Sequence, residues 1–367
     1  MRLVKLDHCE TGTLLAKSIF RENGTILLAR GTYLTNNLIK RLKELNIFTV
    51  YIEDEASEGI EITETIPNEI RAEAASAITE GLDELVNIHK RPNIHGIMKT
   101  GRVVRSIQKV FKDILSCLNE NKAALNLLAT AKVHEDHVYT HSLNVSIYAC
   151  QLAIENGLPI KKIEDIGLGA MLHDLGKLFI PKEILNKPGK LTEMEFELIQ
   201  SHCELGFNQL RKIHEIPLPV AHCALQHHER VDGKGYPRGL KNHEIHKYAK
   251  IISVADVFDA VTSHRTYRPA MLPHKAMEIL HNGKGTQFEP RQVDLFKECI
   301  AIYPPGLTVL LNDGRTGIVA KYNFKAVGRP VVRIIKDQEN QTVQPYEIDL
   351  AAKEHVMLEI TDADALL

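Results

Sequence analysis

The stretch Gly169-Ala170-Met171-Leu172-His173-Asp174-Leu175-Gly176-Lys177 sets a histidine and an aspartate side by side at the end of an apolar run. On a continuous helix adjacent side chains point about 100° apart, so His173 and Asp174 reach one centre only where a helix ends or bends. Gly176 is expected to supply that break. An isolated His-Asp pair is more often a surface pair than a ligand pair, so its meaning depends on its surroundings.

Those surroundings are rich in the same chemistry. Upstream, His137 and His141 are four residues apart in a helical pattern, which places both rings on one face. Downstream, His202 sits in the amphipathic run Leu198-Ile199-Gln200-Ser201-His202-Cys203-Glu204-Leu205-Gly206. Next come His227-His228-Glu229 and Val231-Asp232-Gly233-Lys234-Gly235-Tyr236-Pro237. Asp256 then interrupts the apolar segment Ile251-Ile252-Ser253-Val254-Ala255-Asp256-Val257-Phe258-Asp259-Ala260. Burying an unpartnered carboxylate costs on the order of several kcal/mol, which a bound cation would offset. Fourteen of the eighteen histidines fall between His134 and His281, so one region holds the candidate site.

The bulk composition narrows the classes of function. At 367 residues, with 44% hydrophobic and 25% charged residues, the chain reads as an ordinary soluble protein of two or three domains. A net charge of −2 gives no general attraction to DNA, so a phosphate-bearing ligand must be held by a local positive site. No run approaches the roughly 18 apolar residues of a spanning helix. The opening Met1-Arg2-Leu3-Val4-Lys5-Leu6-Asp7 lacks the apolar core of a signal peptide, so a cytoplasmic protein without membrane insertion is expected. The six cysteines contain no CxxC pair and read as reduced, buried thiols.

The expected fold is multi-domain and mainly α. Residues 1–60 form a small α+β module: Asn23-Gly24 predicts a hairpin turn, Thr35 precedes a helical pattern, and Phe48–Ile52 is β-rich. Residues 61–99 read as a linker that becomes helical, with Ile70, Ala74, Ile78, Leu82 and Leu85 on one face. Residues 100–302 are a helical core, and 303–367 a small β-rich domain whose strands follow Pro304-Pro305-Gly306. The apolar faces at 70–85 and 103–118 offer a surface for homodimer pairing.

Taken together and in this order, His-Asp-x-Gly-Lys (173–177), His-His-Glu (227–229), Asp-Gly-x-Gly-Tyr-Pro (232–237) and the segment from Asp256 to Arg268 resemble the HD-GYP branch of the HD phosphohydrolase superfamily. The resemblance covers roughly residues 100–302. It implies metal-dependent hydrolysis of cyclic di-GMP to linear pGpG, with GMP as an open further product, in bacterial second-messenger signalling. Carried over residue by residue, it makes His141, His173, Asp174, His202, His227, His228 and Asp256 metal ligands, with Asp174 bridging. Asp174 and Lys177 become the catalytic pair. Gly233, Gly235, Tyr236, Pro237, Asp259, Arg265 and Arg268 become the substrate-facing group, although Asp259 reads equally as a support for a ligand.

Mixed nitrogen and oxygen ligands with open positions suit iron or manganese better than structural zinc. Neutral imidazoles and two carboxylates around two divalent ions leave a positive site on a slightly negative protein. Some relatives carry a glutamate where this chain has His137 and hold a third metal with it. A neutral imidazole cannot neutralise charge there, so two metals are expected, with His137 either a weak ligand or a partner to one. Glu229 is read as orienting the adjacent histidines. The rival readings are a hydrolase of another cyclic or linear nucleotide, and a catalytically weak nucleotide-binding module that signals through a protein partner.

Overall fold

The computed structural model describes residues 1–21, 25–45, 47–62, 65–90, 94–120, 137–263, 270–323 and 326–364, and backbone alone at 87–90, 94–99, 137–138 and 364. The chain opens with β1 (Arg2–Lys5), β2 (Ile19–Phe20), β3 (Ile26–Leu28), α1 (Asn36–Glu44) and β4 (Thr49–Ile52). Strands β1 and β4 pair antiparallel, with Leu3 opposite Tyr51, and β2 pairs with β3. The turn residues Asn23 and Gly24 that predict this hairpin lie outside the described residues. Thr35 caps α1 as its type predicts: its hydroxyl accepts from the Leu38 N–H at 3.3 Å.

The helical body follows: α2 (Asn68–Lys90), α3 (Ile94–Glu120), α4 (His137–Glu155), α5 (Ile160–Leu172), α6 (Lys182–Leu185), α7 (Glu193–Gln200), α8 (His202–Leu210), α9 (Leu218–Gln226), α10 (Lys247–Thr262), α11 (Pro273–Asn282) and α12 (Pro290–Cys299). Helices α4 and α10 sit at its centre. Both are apolar on nearly every face, with Leu143, Val145, Ile147 and Leu152 on one and Ile251, Ile252, Val254 and Phe258 on the other all buried. Helices buried on several sides belong inside the protein, and their polar residues His141, Asn144, Asp256 and Asp259 meet one another there. Tyr148, Phe258 and Phe296 lock α4, α10 and α12 together edge to face, with ring centroids 5.0–5.9 Å apart.

One expectation fails here. Ile78, Leu82 and Leu85 of α2, and Ile107, Phe111, Ile114 and Leu118 of α3, are buried in the same core as α4 and α5. The faces read as a dimer surface are consumed within the chain, because α2 and α3 cover the flank that α4 and α5 leave apolar. The helical pattern read after the connector is α2, packed into this body.

The chain closes with an antiparallel sheet of β5 (Thr308–Leu311), β6 (Thr316–Lys321), β7 (Val331–Lys336), β8 (Thr342–Asp349) and β9 (Ile360–Asp364), in the order β8-β7-β6-β5-β9. Val309, Val319, Val332 and Ile334 point into a cluster that also takes Leu3, Ala16 and Tyr51 from the N-terminal module and Ile62 from the segment that follows it. The Leu3 N–H donates to the Gly306 carbonyl at 2.9 Å, and Arg2 Nε donates to Thr308 Oγ1 at 3.2 Å. The two end modules thus share a core, which no local sequence pattern announces. Among the described residues no helix is long and apolar enough to cross a membrane. All six cysteines are free, four of them buried.

Candidate metal centre

Five segments converge on one buried point. His141 comes from α4, His173 and Asp174 from the end of α5, His202 from the first position of α8, His227 and His228 from the end of α9, and Asp256 from α10. The His173-Asp174 pair works because the helix stops there. His173 keeps helical dihedrals, whereas Asp174 turns out to φ −97°, ψ 9° and starts a 3-10 turn over Leu175–Phe179. Gly176 has another role than the expected break. A Cβ there would lie 1.8 Å from the His202 carbonyl oxygen, so the glycine lets the turn press against the start of α8.

The imidazoles are held by their outer nitrogens. His173 Nδ1–H donates to the Ala170 carbonyl at 2.6 Å, and His202 Nδ1–H to Ile199 at 2.6 Å. His227 Nδ1–H is shared between Cys223 and Ala224 at 3.1 and 3.0 Å. His141 Nδ1–H donates to Asp259 Oδ2 at 2.7 Å. Anchoring Nδ1 fixes the tautomer that presents the Nε2 lone pair. Around Asp174 those nitrogens gather closely: Oδ1 lies 3.4 Å from His202 Nε2 and 3.7 Å from His227 Nε2, and Oδ2 lies 3.3 Å from His173 Nε2 and 3.7 Å from His141 Nε2. Asp256 Oδ1 is 3.0 Å from His141 Nε2, and its Oδ2 is 3.9 Å from His228 Nδ1.

Two sets of donor atoms are close enough to hold an ion each: Asp174, His202, His227 and His228, and His141, His173 and Asp174. Asp174 belongs to both. His141 Nε2, His173 Nε2 and Asp174 Oδ1 are buried without a hydrogen-bond partner, an arrangement that is costly unless a cation takes their lone pairs. The donor set therefore fits divalent metal.

Electrostatics prepare the site unevenly. Burial holds the His202 pKa down at about 3 and depresses His227 and His228 as well, so these rings are neutral donors at neutral pH. Burial would push Asp174 and Asp256 up, but the histidines around both, with Lys177 beside Asp174, outweigh it and keep them ionised. For His141 burial acts downward, yet the carboxylates of Asp256 and Asp259 prevail and raise it to about 9. In metal-free protein this protonated ring contributes stability fully below its usual value of 6.5, and that contribution fades as pH rises through about 9. A metal at His141 must displace the proton. Titrating chelator-stripped protein with Mn²⁺ in two buffers of different ionisation enthalpy is expected to show close to one proton released near neutral pH. Affinity should climb up to about tenfold per pH unit below that pKa. Affinity independent of pH between 6 and 9 would contradict it.

The loop after His228 folds back on it. A Cβ on Gly235 would come within 2.4 Å of the Arg230 nitrogen and 2.6 Å of the His228 carbonyl oxygen, so only glycine lets the loop fold back on the histidine pair. Gly233 takes a positive φ of 79°. Tyr236, followed by Pro237 through a cis peptide, lays its ring 4.7 Å from His228. These loop residues are half-buried, with Tyr236 beside His228.

Two roles need correcting. Asp259 is 2% exposed, and its oxygens are taken by His141, Asn144 and Ser263, so it supports His141 and does not face substrate. Glu229 accepts from the Arg238 and Leu240 N–H groups at 2.8 and 2.9 Å, so it ties down the loop and leaves the histidines alone. Arg265 and Arg268 lie outside the described residues, as does the side chain of His137. Asn144 was missed, although its i+3 spacing from His141 put it on the ligand face. Among histidines assigned no ligand role, His246 caps α10, its Nδ1 accepting from the Tyr248 N–H at 3.2 Å.

A helical body carrying a His-Asp pair at a helix end, completed by histidines and an aspartate from four other helices, defines a metal-dependent hydrolase domain of the HD type. Comparison with known families agrees: residues 123–291 match the HD domain, and residues 308–361 match a KOW domain associated with HD domains. The chain is 28% identical to a cyclic di-GMP phosphodiesterase of Pseudomonas aeruginosa, over 87% of this chain and 81% of that one. It is 36% identical to a cyclic di-GMP phosphodiesterase of Thermotoga maritima over 54% of this chain and 55% of the relative. It is also 37% identical to a 3′3′-cGAMP-specific phosphodiesterase of Vibrio cholerae, over 46% and 37% respectively. With the Gly-Tyr-Pro loop at 235–237, the chain is similar to HD-domain cyclic dinucleotide phosphodiesterases of the HD-GYP type.

Proposed function

We propose that this protein hydrolyses cyclic di-GMP to linear pGpG in the bacterial cytoplasm, with GMP an open further product. The observation that carries the reading is the buried Asp174 carboxylate shared by two histidine sets, beside a Gly-Tyr-Pro loop that folds over His228. The names of the relatives support the substrate class. His141, His173, Asp174, His202, His227, His228 and Asp256 would hold two divalent ions, iron or manganese by their mixed nitrogen and oxygen donors. When bound, such ions supply Lewis-acid polarisation of a phosphate oxygen and activation of water. Lys177, with its ammonium 2.5 Å from Asp174 Oδ2, is placed to stabilise charge gathering on the phosphoryl group. Gly233, Gly235, Tyr236 and Pro237 would line the substrate side, and Arg265 and Arg268 would clamp its phosphates. The N-terminal module would regulate, alone or through a signalling partner; DNA is no part of this reading.

A mixed cyclic dinucleotide is the second reading, favoured by the identity to the Vibrio enzyme. Purified protein supplied with cyclic di-GMP and 3′3′-cGAMP in parallel separates them by relative kcat/KM. Absence of turnover with either, in metal-replete protein, would leave a binding module and overturn the proposal. Elemental analysis after anaerobic purification is expected to give two metals per chain. His137→Ala should weaken activity only moderately, and His141→Ala should remove a metal. Three tightly held metals, with one lost in His137→Ala, would make His137 a ligand and sink the two-metal reading.

A further inference from the structure

A chain of buried hydrogen bonds leaves the metal ligands and ends on a helix outside the matched HD domain. His141 Nδ1–H donates to Asp259 Oδ2 at 2.7 Å. Asp259 Oδ1 accepts from Asn144 Nδ2 at 2.9 Å, and Asn144 Oδ1 accepts from Arg71 Nη2 at 3.0 Å. Arg71 lies in the first turn of α2, 5% exposed, and residues 123–291 are those matched by the HD domain. Taking the proposed role of His141 in metal binding as its premise, we infer that Arg71 is a positioning residue for His141, acting through Asn144 and Asp259.

The chemistry of each link supports a directed relay. A carboxamide can be fitted either way round, but the arginine has only donors and the aspartate only acceptors. Asn144 between them must present its oxygen to Arg71 and its amino group to Asp259. That choice leaves Asp259 Oδ2 for the imidazole, which fixes His141 with Nε2 toward Asp174 and Asp256. Arg71 also places a permanent positive charge behind a carboxylate that is itself buried. Both charges act on the buried Tyr148 phenol: burial raises its pKa most, Asp259 raises it further and Arg71 lowers it. Position in the chain gives the link a further consequence. Ile62, shortly before α2, sits in the core shared by the two end modules, and Ile66 sits in the helical core. Arg71 is therefore the point at which the connection from the end modules meets a ligand-holding network.

The test uses full-length, chelator-stripped protein and Mn²⁺ alone as the probe, followed by kinetics after reloading. Arg71→Met keeps the aliphatic stem and removes the donor. It is expected to weaken the affinity for one Mn²⁺ by about tenfold, the usual scale for a lost support to a ligating histidine. The value of kcat should fall with KM nearly unchanged, and Arg71→Lys should recover part of both. Asn144→Ala should show the same Mn²⁺ defect, and the double variant should be no worse than either single one, because both cut the same chain. Unchanged Mn²⁺ affinity in Asn144→Ala, or defects that multiply in the double variant, would overturn the relay. Should Arg71→Met fail to fold, Arg71→Lys and Asn144→Ala decide the matter by the same readout. His141→Ala serves as the control: if it binds Mn²⁺ normally, the premise about His141 fails and not the relay.

Discussion

Asp174→Ala is expected to lose its metals and its hydrolytic activity together, with turnover falling by at least about 10³-fold, the several kcal/mol that Lewis-acid assistance supplies. The expectation rests on one carboxylate serving two groups of imidazoles. Its two oxygens face different histidine pairs, His202 and His227 on one side and His173 and His141 on the other. Neither set can be completed without it. The fold should lose some stability as well, because the histidines and Lys177 around Asp174 more than offset its burial and lose that partner in the alanine variant. A melting curve by circular dichroism checks that point, and elemental analysis with a cyclic dinucleotide assay checks the rest. Protein that keeps both metals and normal turnover after this substitution would rule out the shared role.

Local rules carried the reading of this chain as far as local rules reach. The histidine spacing marked the site because metal ligands must be particular residue types, and helix ends are where adjacent ones can converge. The element types followed from periodicity, and Thr35 marked its helix start. What stayed hidden depends on contacts distant in sequence. Glu229 looks like a companion to the histidines beside it, yet its carboxylate holds backbone about ten residues further on. An apolar face on α2 reads the same whether it meets α3 and the core or a second copy of the chain. The same ambiguity covers Arg71, an ordinary helix cation until α4 and α10 bring Asn144 and Asp259 within reach. Gly176 was singled out for its freedom to turn, but the structure requires it for its lack of a Cβ against His202.

Lys177→Ala should separate catalysis from metal binding, in the direction opposite to a loss of ligand. The side chain lies on the 3-10 turn that begins at Asp174, partly exposed, and its ammonium reaches the same Oδ2 that faces His173 and His141. An ammonium has no lone pair to give a cation, so removing it takes away no donor. It also stands as a positive charge at the edge of a site that must accept further positive charge, and it helps hold Asp174 ionised. The histidines around Asp174 share the latter task. Metal content in Lys177→Ala should therefore equal that of the unmodified protein, with Mn²⁺ affinity equal or somewhat higher. Turnover should nevertheless fall by roughly 10²–10³, the range for losing one electrostatic stabiliser of the transition state. Because the ammonium serves the developing charge more than the bound ground state, the loss should appear in kcat with KM little changed. Loss of metal in Lys177→Ala would show that the residue holds Asp174 in place for the ions, and normal kcat with intact metal would remove it from the catalytic machinery.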